Sequence, residues 1–382
     1  MLDSSFLQAS EAAALTWEVP ALAFGVSLAG AVETHGIGCA PDTIFRVASI
    51  TKPFTTALCL GLLDLEEQTG IWPPDVRVRH LLSHTSGFDG DAGDLGRFGD
   101  GEDALGELVN KELPKIRRFL GVEQAWSYAN TGYWIAGWKS EERAGSSFEE
   151  ALAEHVIAPA GLEATSFGEP DVSGAGADAL PGPYPRARRP SGGLVSNVPD
   201  LLRFGEWLLA RPELARMRVV HGKPAGGVYG LGLFGERVGD VEVWGHGGSW
   251  GGFQTSLLTI PDRDAVFVGL TNHSRGAKAL YELENVFFER VLGARRRVRE
   301  TVELPDDVLE GFGGSYANSD DWIDVEFSVG GLAVTFADGE FAARPIGERT
   351  FEITERDRVR ERFDFPLEGF GRFGSRLAER VG

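Results

Sequence analysis

Apolar and polar positions divide the chain into a strand-like start, a long helical middle and a return to strands. Residues 21–28 form an apolar run that predicts a strand, and residues 44–47 predict the strand returning beside it, with Gly30 and the 36–42 stretch supplying turns. Helical spacing then takes over. Between Ser49 and Leu65 the apolar residues fall at Phe54, Ala57, Leu58, Leu62 and Leu65, and Pro53 is compatible with a helix only near its start, so Ser49 is expected at or near a helix N-terminus. Further helices are predicted at 78–82, 104–120, 131–145 and 148–157. After the Gly-, Ala- and Pro-rich loop at 173–190, another is predicted at 199–210, where Pro199 suits the first helical position and Ser196 or Asn197 can cap it. Strand patterns return at 242–245, 253–260 and 265–271 before a last helix at 277–292. The expected fold class is therefore α/β (α+β): one antiparallel sheet assembled from both ends of this stretch and flanked by helices, with a helical subdomain inserted.

The character changes after a short basic connector carrying Arg295, Arg296, Arg297 and Arg299. Alternating segments at 323–327, 332–336 and 351–353 predict a small antiparallel β unit. The division expected is 1–300 for the larger domain and 301–382 for the smaller, the latter an incomplete barrel because so short a segment looks insufficient for eight strands. No internal repeat is present.

Composition narrows the function classes. With 57 acidic and 37 basic residues the net charge is −20, which excludes the basic face a nucleic-acid binder needs. Cys39 and Cys59 are too few for a disulfide scaffold or a cysteine-ligated zinc, and Cys59 sits in an apolar helical run as a small hydrophobe. The longest apolar runs, 57–63 and 265–270, fall far short of the roughly 20 residues that span a bilayer, so no membrane segment is expected. The first basic residue is Arg46, too late for a secretory leader, and the expected location is cytoplasmic, or secreted if a leader has been trimmed.

Three short motifs carry candidate chemistry. Ser49-Ile50-Thr51-Lys52 is an S-x-x-K, which on a helix sets the lysine amine beside the serine hydroxyl; a desolvated lysine can take the proton that makes serine a nucleophile. Tyr128-Ala129-Asn130 is a Y-x-N, pairing a hydroxyl that can relay protons with an amide that can hold a substrate carbonyl. A second copy, Tyr316-Ala317-Asn318, is read as a strand start without a catalytic role. His246-Gly247-Gly248-Ser249 leads towards a predicted strand. There Gly248 permits close approach, the Ser249 N–H can face a developing oxyanion, and His246 can orient a substrate or assist proton transfer.

Two competing signals are weaker. Residues 247–251 fit G-x-S-x-G, but a nucleophile elbow requires a helix straight after it, and a strand pattern follows instead. His80 and His84 have the spacing of a zinc pair, yet no third ligand or neighbouring general base accompanies them, so a structural turn is expected. Arg186, Arg188 and Arg189 are read as a solvated loop that would favour acidic substrates only if it borders the cleft.

The order S-x-x-K, Y-x-N, H-G-G resembles the serine β-lactamase and penicillin-binding-protein family. Its class C β-lactamase and D-alanyl-D-alanine carboxypeptidase-like branch is the nearer match, and the segments 45–52, 80–87 and 191–194 share the likeness. The resemblance implies an acyl-enzyme on Ser49, acid/base work shared by Lys52 and Tyr128, and binding by Asn130. It also implies an oxyanion hole from the Ser49 and Ser249 amides. His246 falls where many members carry the lysine of a K-T-G motif, a fixed positive charge that histidine lacks near neutral pH. The small C-terminal unit resembles barrel-like domains appended to family esterases and D-amino-acid peptidases. The function implied is a serine hydrolase for a small ester, amide or D-amino-acid peptide, with no cofactor, no metal and no partner beyond the small-molecule substrate. The alternatives are a D-alanyl-D-alanine carboxypeptidase or β-lactamase, and an inactive ligand-binding relative.

Overall fold

The computed structural model describes residues 1–70, 73–91, 98–180, 182–355 and 358–382. Helix α1 (Ser4–Thr16) leads into strands β1 (Leu22–Leu28) and β2 (Ala31–Ile37), then β3 (Phe45–Arg46) and helix α2 (Thr51–Leu62). Helices α3 (Val78–Leu82), α4 (Ala104–Lys111), α5 (Asn130–Ala144), α6 (Phe148–Leu152) and α7 (Arg189–Gly192) form the middle of the chain. Strand β4 (Val195–Ser196), helix α8 (Val198–Ala210) and strands β5 (Val228–Tyr229), β6 (Phe234–Val238), β7 (Val241–Trp250), β8 (Phe253–Ile260) and β9 (Ala265–Thr271) follow, and helix α9 (Gly276–Arg290) closes the larger part.

The main sheet has the order β2-β1-β9-β8-β7-β6-β5, so strands from the two ends of this part meet where β1 pairs antiparallel with β9. One face packs on α1 and α9 through Phe6, Phe24, Phe267 and Phe287. The other packs on α8 and the helical middle around Phe54, Phe204, Leu257 and Val268, with the Phe54 and Phe204 rings stacked. None of the described helices is long and apolar enough to cross a membrane.

The return strand is not where the apolar pattern places it. Ala29 and Gly30, at φ 49° and 80°, make the two-residue turn that joins β1 to β2, and β2 is a largely exposed edge strand whose polar residues hide it in a hydrophobicity pattern. Residues 45–46 pair instead with 195–196 in a separate two-stranded ribbon. The helix expected over 104–120 stops at Lys111, and a 3-10 turn follows where Pro114 lacks the amide that would continue it.

The C-terminal part is a correction of substance. After α10 (Asp306–Glu310), strands β10 (Gly314–Ala317), β11 (Trp322–Ser328), β12 (Gly331–Phe336), β13 (Gly339–Pro345), β14 (Thr350–Glu355), β15 (Arg358–Leu367), β16 (Phe370–Phe373) and β17 (Arg376–Arg380) close into a complete eight-stranded barrel. So short a segment suffices because β11–β12, β12–β13, β15–β16 and β16–β17 are each joined by only two residues, and β10 pairs with β17 to close the ring. Phe312, Phe351, Phe363, Phe365 and Phe373 fill its core.

The stacked pair predicts where the larger core is least tolerant. Phe204→Ala should cost about 3–5 kcal/mol of unfolding free energy, read from denaturant unfolding, because a ring between α2 and α8 leaves a cavity that the sheet behind it cannot fill. A loss below about 1 kcal/mol would show that the helices collapse onto the gap.

Candidate active site

Ser49 is set by strain and close packing on both sides. Ala48 adopts φ 46°, a left-handed conformation unfavourable for a residue with a Cβ, and the 3-10 turn Ala48–Ile50 runs directly into α2. The Val47 amide donates to the Leu194 carbonyl (3.0 Å), and its carbonyl accepts from the Thr255 hydroxyl (3.1 Å). Gly248 on β7 comes so near that a Cβ there would lie 2.3 Å from the Val47 carbonyl and 3.1 Å from the Ser49 nitrogen. Only glycine lets the strand lie against the turn.

The Ser49 hydroxyl has two close neighbours. Lys52 Nζ lies 3.0 Å from Ser49 Oγ, and the Tyr128 hydroxyl donates to the same oxygen at 3.0 Å. Lys52 is wholly buried, its ammonium end placed 4.8 Å from the centre of the Tyr128 ring and 5.4 Å from that of Tyr133, and it donates to the Ser191 carbonyl (2.7 Å). Burial drives its pKa well below the ordinary lysine range; Asp91 opposes this, while Arg376 and Arg188 add to it. Burial pushes Tyr128 the other way, well above the ordinary phenol value. Both shifts disfavour charge, biasing the pair towards a free amine and a protonated phenol.

Three consecutive amides fix the loop that carries Tyr128. Ser127 N–H donates to the His84 carbonyl (3.0 Å), Tyr128 N–H to the Ser375 carbonyl of the barrel (2.8 Å), and Ala129 N–H to His84 Nδ1 (3.1 Å). His84, itself left-handed at φ 58°, lies 4.2 Å ring to ring from Tyr128, and burial lowers its pKa well below the ordinary histidine value. The 80–87 block is therefore a structural turn that holds a candidate catalytic loop. His80 faces elsewhere, accepting from the Arg77 amide and standing 3.4 Å from Glu123. Among the described residues no cluster of three or more His, Cys, Asp or Glu is placed to hold a metal.

Asn130 begins α5, and its side chain turns to Asp91. Asp91 Oδ1 accepts from the Asn130 amide (3.0 Å), while Oδ2 accepts from Asn130 Nδ2 (2.8 Å) and from Arg376 Nη2 (3.0 Å); Arg188 stands 3.8 Å away. Burial alone would raise this carboxyl, but Arg376, the Asn130 amide and Arg188 outweigh it and hold the pKa below the ordinary aspartate value. Of the arginine loop, Arg186 and Arg189 pair with Glu149, and Arg188 alone reaches the cleft, lying over the Trp250 ring at 4.8 Å.

His246, Gly248 and Ser249 lie on β7. Beyond Gly245 this strand has no β6 partner, so 246–250 offer an open edge. His246 Nδ1 lies 2.6 Å from the Gly247 carbonyl, its Nε2 is buried without a partner among the described residues, and burial next to Lys52 lowers its pKa to about 3. Ser249 Oγ accepts from Gln254 (2.9 Å) inside a β-hairpin, which disposes of the elbow reading. A cavity of about 390 Å³ beside this edge is lined by Trp126, Phe234, His246, Gly247 and the barrel's Gly374 and Ser375. A larger cleft of about 1450 Å³, between β6 and the barrel, includes none of the Ser49 cluster.

The structure thus gathers Ser49, Lys52 and Tyr128 at one point, with Gly248, Ser249 and His246 on the strand beside it. Asp91, Ser375 and Arg376 are contributors that no motif flags, while Ser191 lies in the 191–194 segment that shares the family likeness. A Beta-lactamase family model matches residues 12–287. Penicillin-binding protein 4 of Amycolatopsis lactamdurans is 28% identical over 325 residues, covering 71% of this chain and 83% of that protein. A D-aminopeptidase of Cereibacter sphaeroides is 27% identical over 277 residues, covering 62% of this chain and 52% of that protein. Across the first such relatives the chain spans from 30% to 83% of their length. The crystal structure of SurE with D-Leu superposes with a TM-score of 0.78 at 23% identity over 99% of both chains. With the family match extending from α1 to α9, the chain belongs to the Beta-lactamase family.

Proposed function

We propose that the protein is a serine hydrolase that forms an acyl-enzyme on Ser49 from a small ester, amide or D-amino-acid peptide and releases it to water. The observation that carries this reading is the single oxygen of Ser49 held 3.0 Å from both a buried lysine amine and a tyrosine hydroxyl. Lys52, whose charged form burial disfavours, takes the hydroxyl proton as Oγ attacks the substrate carbonyl carbon. The carbonyl oxygen, now negative, lies between the amides of Ser49 and Ser249. Tyr128 donates its proton to the leaving nitrogen or oxygen as the scissile bond breaks, and regains one from Lys52. Water then attacks the ester, its proton passing to Lys52, and Ser49 recovers a proton as the acid departs.

Charge narrows the substrate. His246 stands where a fixed cation would hold a substrate carboxylate, but at a pKa of about 3 it is neutral. Its Nε2, with Trp126 Nε1, is a buried ring nitrogen without a partner among the described residues, offering an acceptor and a donor beside the 390 Å³ cavity. Arg376 is already paired with Asp91 and Asp320, and Arg188 faces Asp91. A neutral or amine-bearing acyl group therefore suits the cleft better than an anionic one. A relative named as a D-aminopeptidase supports the D-amino-acid class.

Three outcomes follow. Intact-mass analysis with peptide mapping after brief exposure to a short p-nitrophenyl ester should show one acyl adduct on Ser49, and Ser49→Ala should lower turnover by roughly 10⁴-fold or more while leaving the unfolding transition in place. Retained turnover in that variant would refute the nucleophile. A penicillin should acylate Ser49 more slowly than the neutral ester does; faster acylation would favour the β-lactamase or carboxypeptidase reading.

The pH profile of kcat/KM tests the base. Because only the free amine accepts the serine proton, the rate should rise with pH through the Lys52 pKa, which lies below 10.5, and fall only when Tyr128 ionises above 10. His246 keeps one protonation state above a pH of about 3, so His246→Gln should leave the midpoint of the acid limb in place. A limb near pH 6.5 that disappears in this variant would assign the base to the histidine.

A further inference from the structure

The hairpin between β16 and β17 carries the barrel to the cleft, and it touches every residue from Trp126 to Tyr128. Between β16 and β17, Gly374 at φ 59° turns the chain so that the Ser375 carbonyl receives the Tyr128 amide (2.8 Å). On either side, Arg372 donates to the Trp126 carbonyl (3.0 Å) and the Leu377 amide donates to the Ser127 hydroxyl (3.1 Å). Arg376, the first residue of β17, then reaches past this loop to Asp91.

We propose that Asp91 and Arg376 form a positioning relay that fixes the Asn130 amide, which makes the barrel a working part of the acylation site. The inference rests on the reading of Ser49 as nucleophile. A carboxylate only accepts hydrogen bonds, so the Asn130 group at 2.8 Å from Asp91 Oδ2 has to be the NH₂ end of the amide, and its carbonyl is turned to the opposite side as an acceptor. The same carboxylate caps the first amide of α5, where the helix dipole favours a negative charge. Oδ2 is shared between Asn130 Nδ2 and Arg376 Nη2, so the guanidinium holds in place the oxygen that orients the amide. Asp320 of the barrel pairs with the other guanidinium nitrogen and fixes the arginine from behind. Arg376 touches neither Ser49, Lys52 nor Tyr128 by any hydrogen bond described; beyond the charge it places near Lys52, it reaches the site through Asp91, and both are positioning residues.

The test uses the full-length protein and a short neutral p-nitrophenyl ester, with acylation of Ser49 followed by mass. Asp91→Asn and Arg376→Gln should each lower kcat by on the order of 10- to 100-fold with KM little changed, as expected for a misaligned group near the reacting centre. Arg376→Lys should recover part of that loss, because it restores the charge without the two-pronged geometry. In an Asn130→Ala background, Arg376→Gln should produce no further decrease in kcat on the high-pH plateau, where the charge effect of Arg376 on Lys52 drops out. Arg376 lies at the rim of the cleft, so its two variants and the Asn130→Ala combination decide the matter even if Asp91→Asn fails to fold. Wild-type rates in Arg376→Gln, or an equal loss with and without Asn130, would overturn the relay while leaving the Ser49 adduct intact. Absence of any adduct in the wild type would overturn the nucleophile itself, and the relay with it.

Discussion

A lysine amine taken wholly out of water sets the requirements for everything around it. Burying an ammonium unpaired costs several kcal/mol, so burial pushes the pKa of this group well down, and on the proposed reading the same shift suits it to act as the base. The neighbourhood is built to keep it so. Two aromatic rings wall Lys52 in, one backbone carbonyl satisfies it, and the nearest imidazoles, His84 and His246, are themselves held neutral by burial. Asp91 is the one group that favours the charged form, and two arginines answer it. Asp91 is tolerated so near the amine because Arg376 and Arg188 lie against it and themselves lower the Lys52 pKa, partly offsetting the pull the carboxylate exerts on it.

Orientation is the second requirement, and here the backbone does the work. Tyr128 sits on a loop, which ordinarily would leave its hydroxyl mobile, but the amides of 127, 128 and 129 are all bonded, two to His84 and one to the barrel. Two strained residues stand at the same places: Ala48 precedes Ser49 and His84 holds the loop, both in left-handed conformations that a side chain disfavours. Each is over-determined by its surroundings, Ala48 by the close approach of β7 and His84 by a cage of aromatic rings. The site therefore owes its geometry to packing from the sheet, the helical middle and the barrel together.

How much of this is readable in the sequence follows from how local each contact is. Ser49 and Lys52 are three residues apart, and helical geometry alone brings them together, so the motif could be read directly. Periodicity likewise placed α5, α8, β8, β9 and α9 to within a few residues. What escaped is non-local or polar. Strand β2 carries its polar residues on an exposed edge and has no apolar alternation to announce it. The barrel was underestimated because strand count depends on turn length, and four two-residue turns are invisible to a hydrophobic pattern. Asp91 and Arg376 lie 285 positions apart and belong to no motif; only the docking of β17 against the cleft brings them together. His84 was legible as a turn residue but not as the partner of a loop more than forty residues away.

The same docking bears on substrate preference. A chain of net charge −20 repels anions at long range, and this repulsion is strongest at low ionic strength. For a carboxylate to bind despite that, the cleft would have to present an unpaired cation close to the open edge of β7. Burial disfavours a charge on Lys52 and keeps His246 neutral there, and the two arginines are engaged by Asp91 and Asp320. To use Arg376, an anionic substrate would have to displace Asp91, and Asp91 is the group that orients Asn130. Binding a carboxylate at that point would thus loosen the amide to which the proposed function gives the task of positioning the reacting carbonyl. A neutral ester, or an acyl group carrying an amine, meets neither the long-range repulsion nor this local conflict. On the proposed function, the electrostatics of the surface and those of the cleft consequently favour the same substrates.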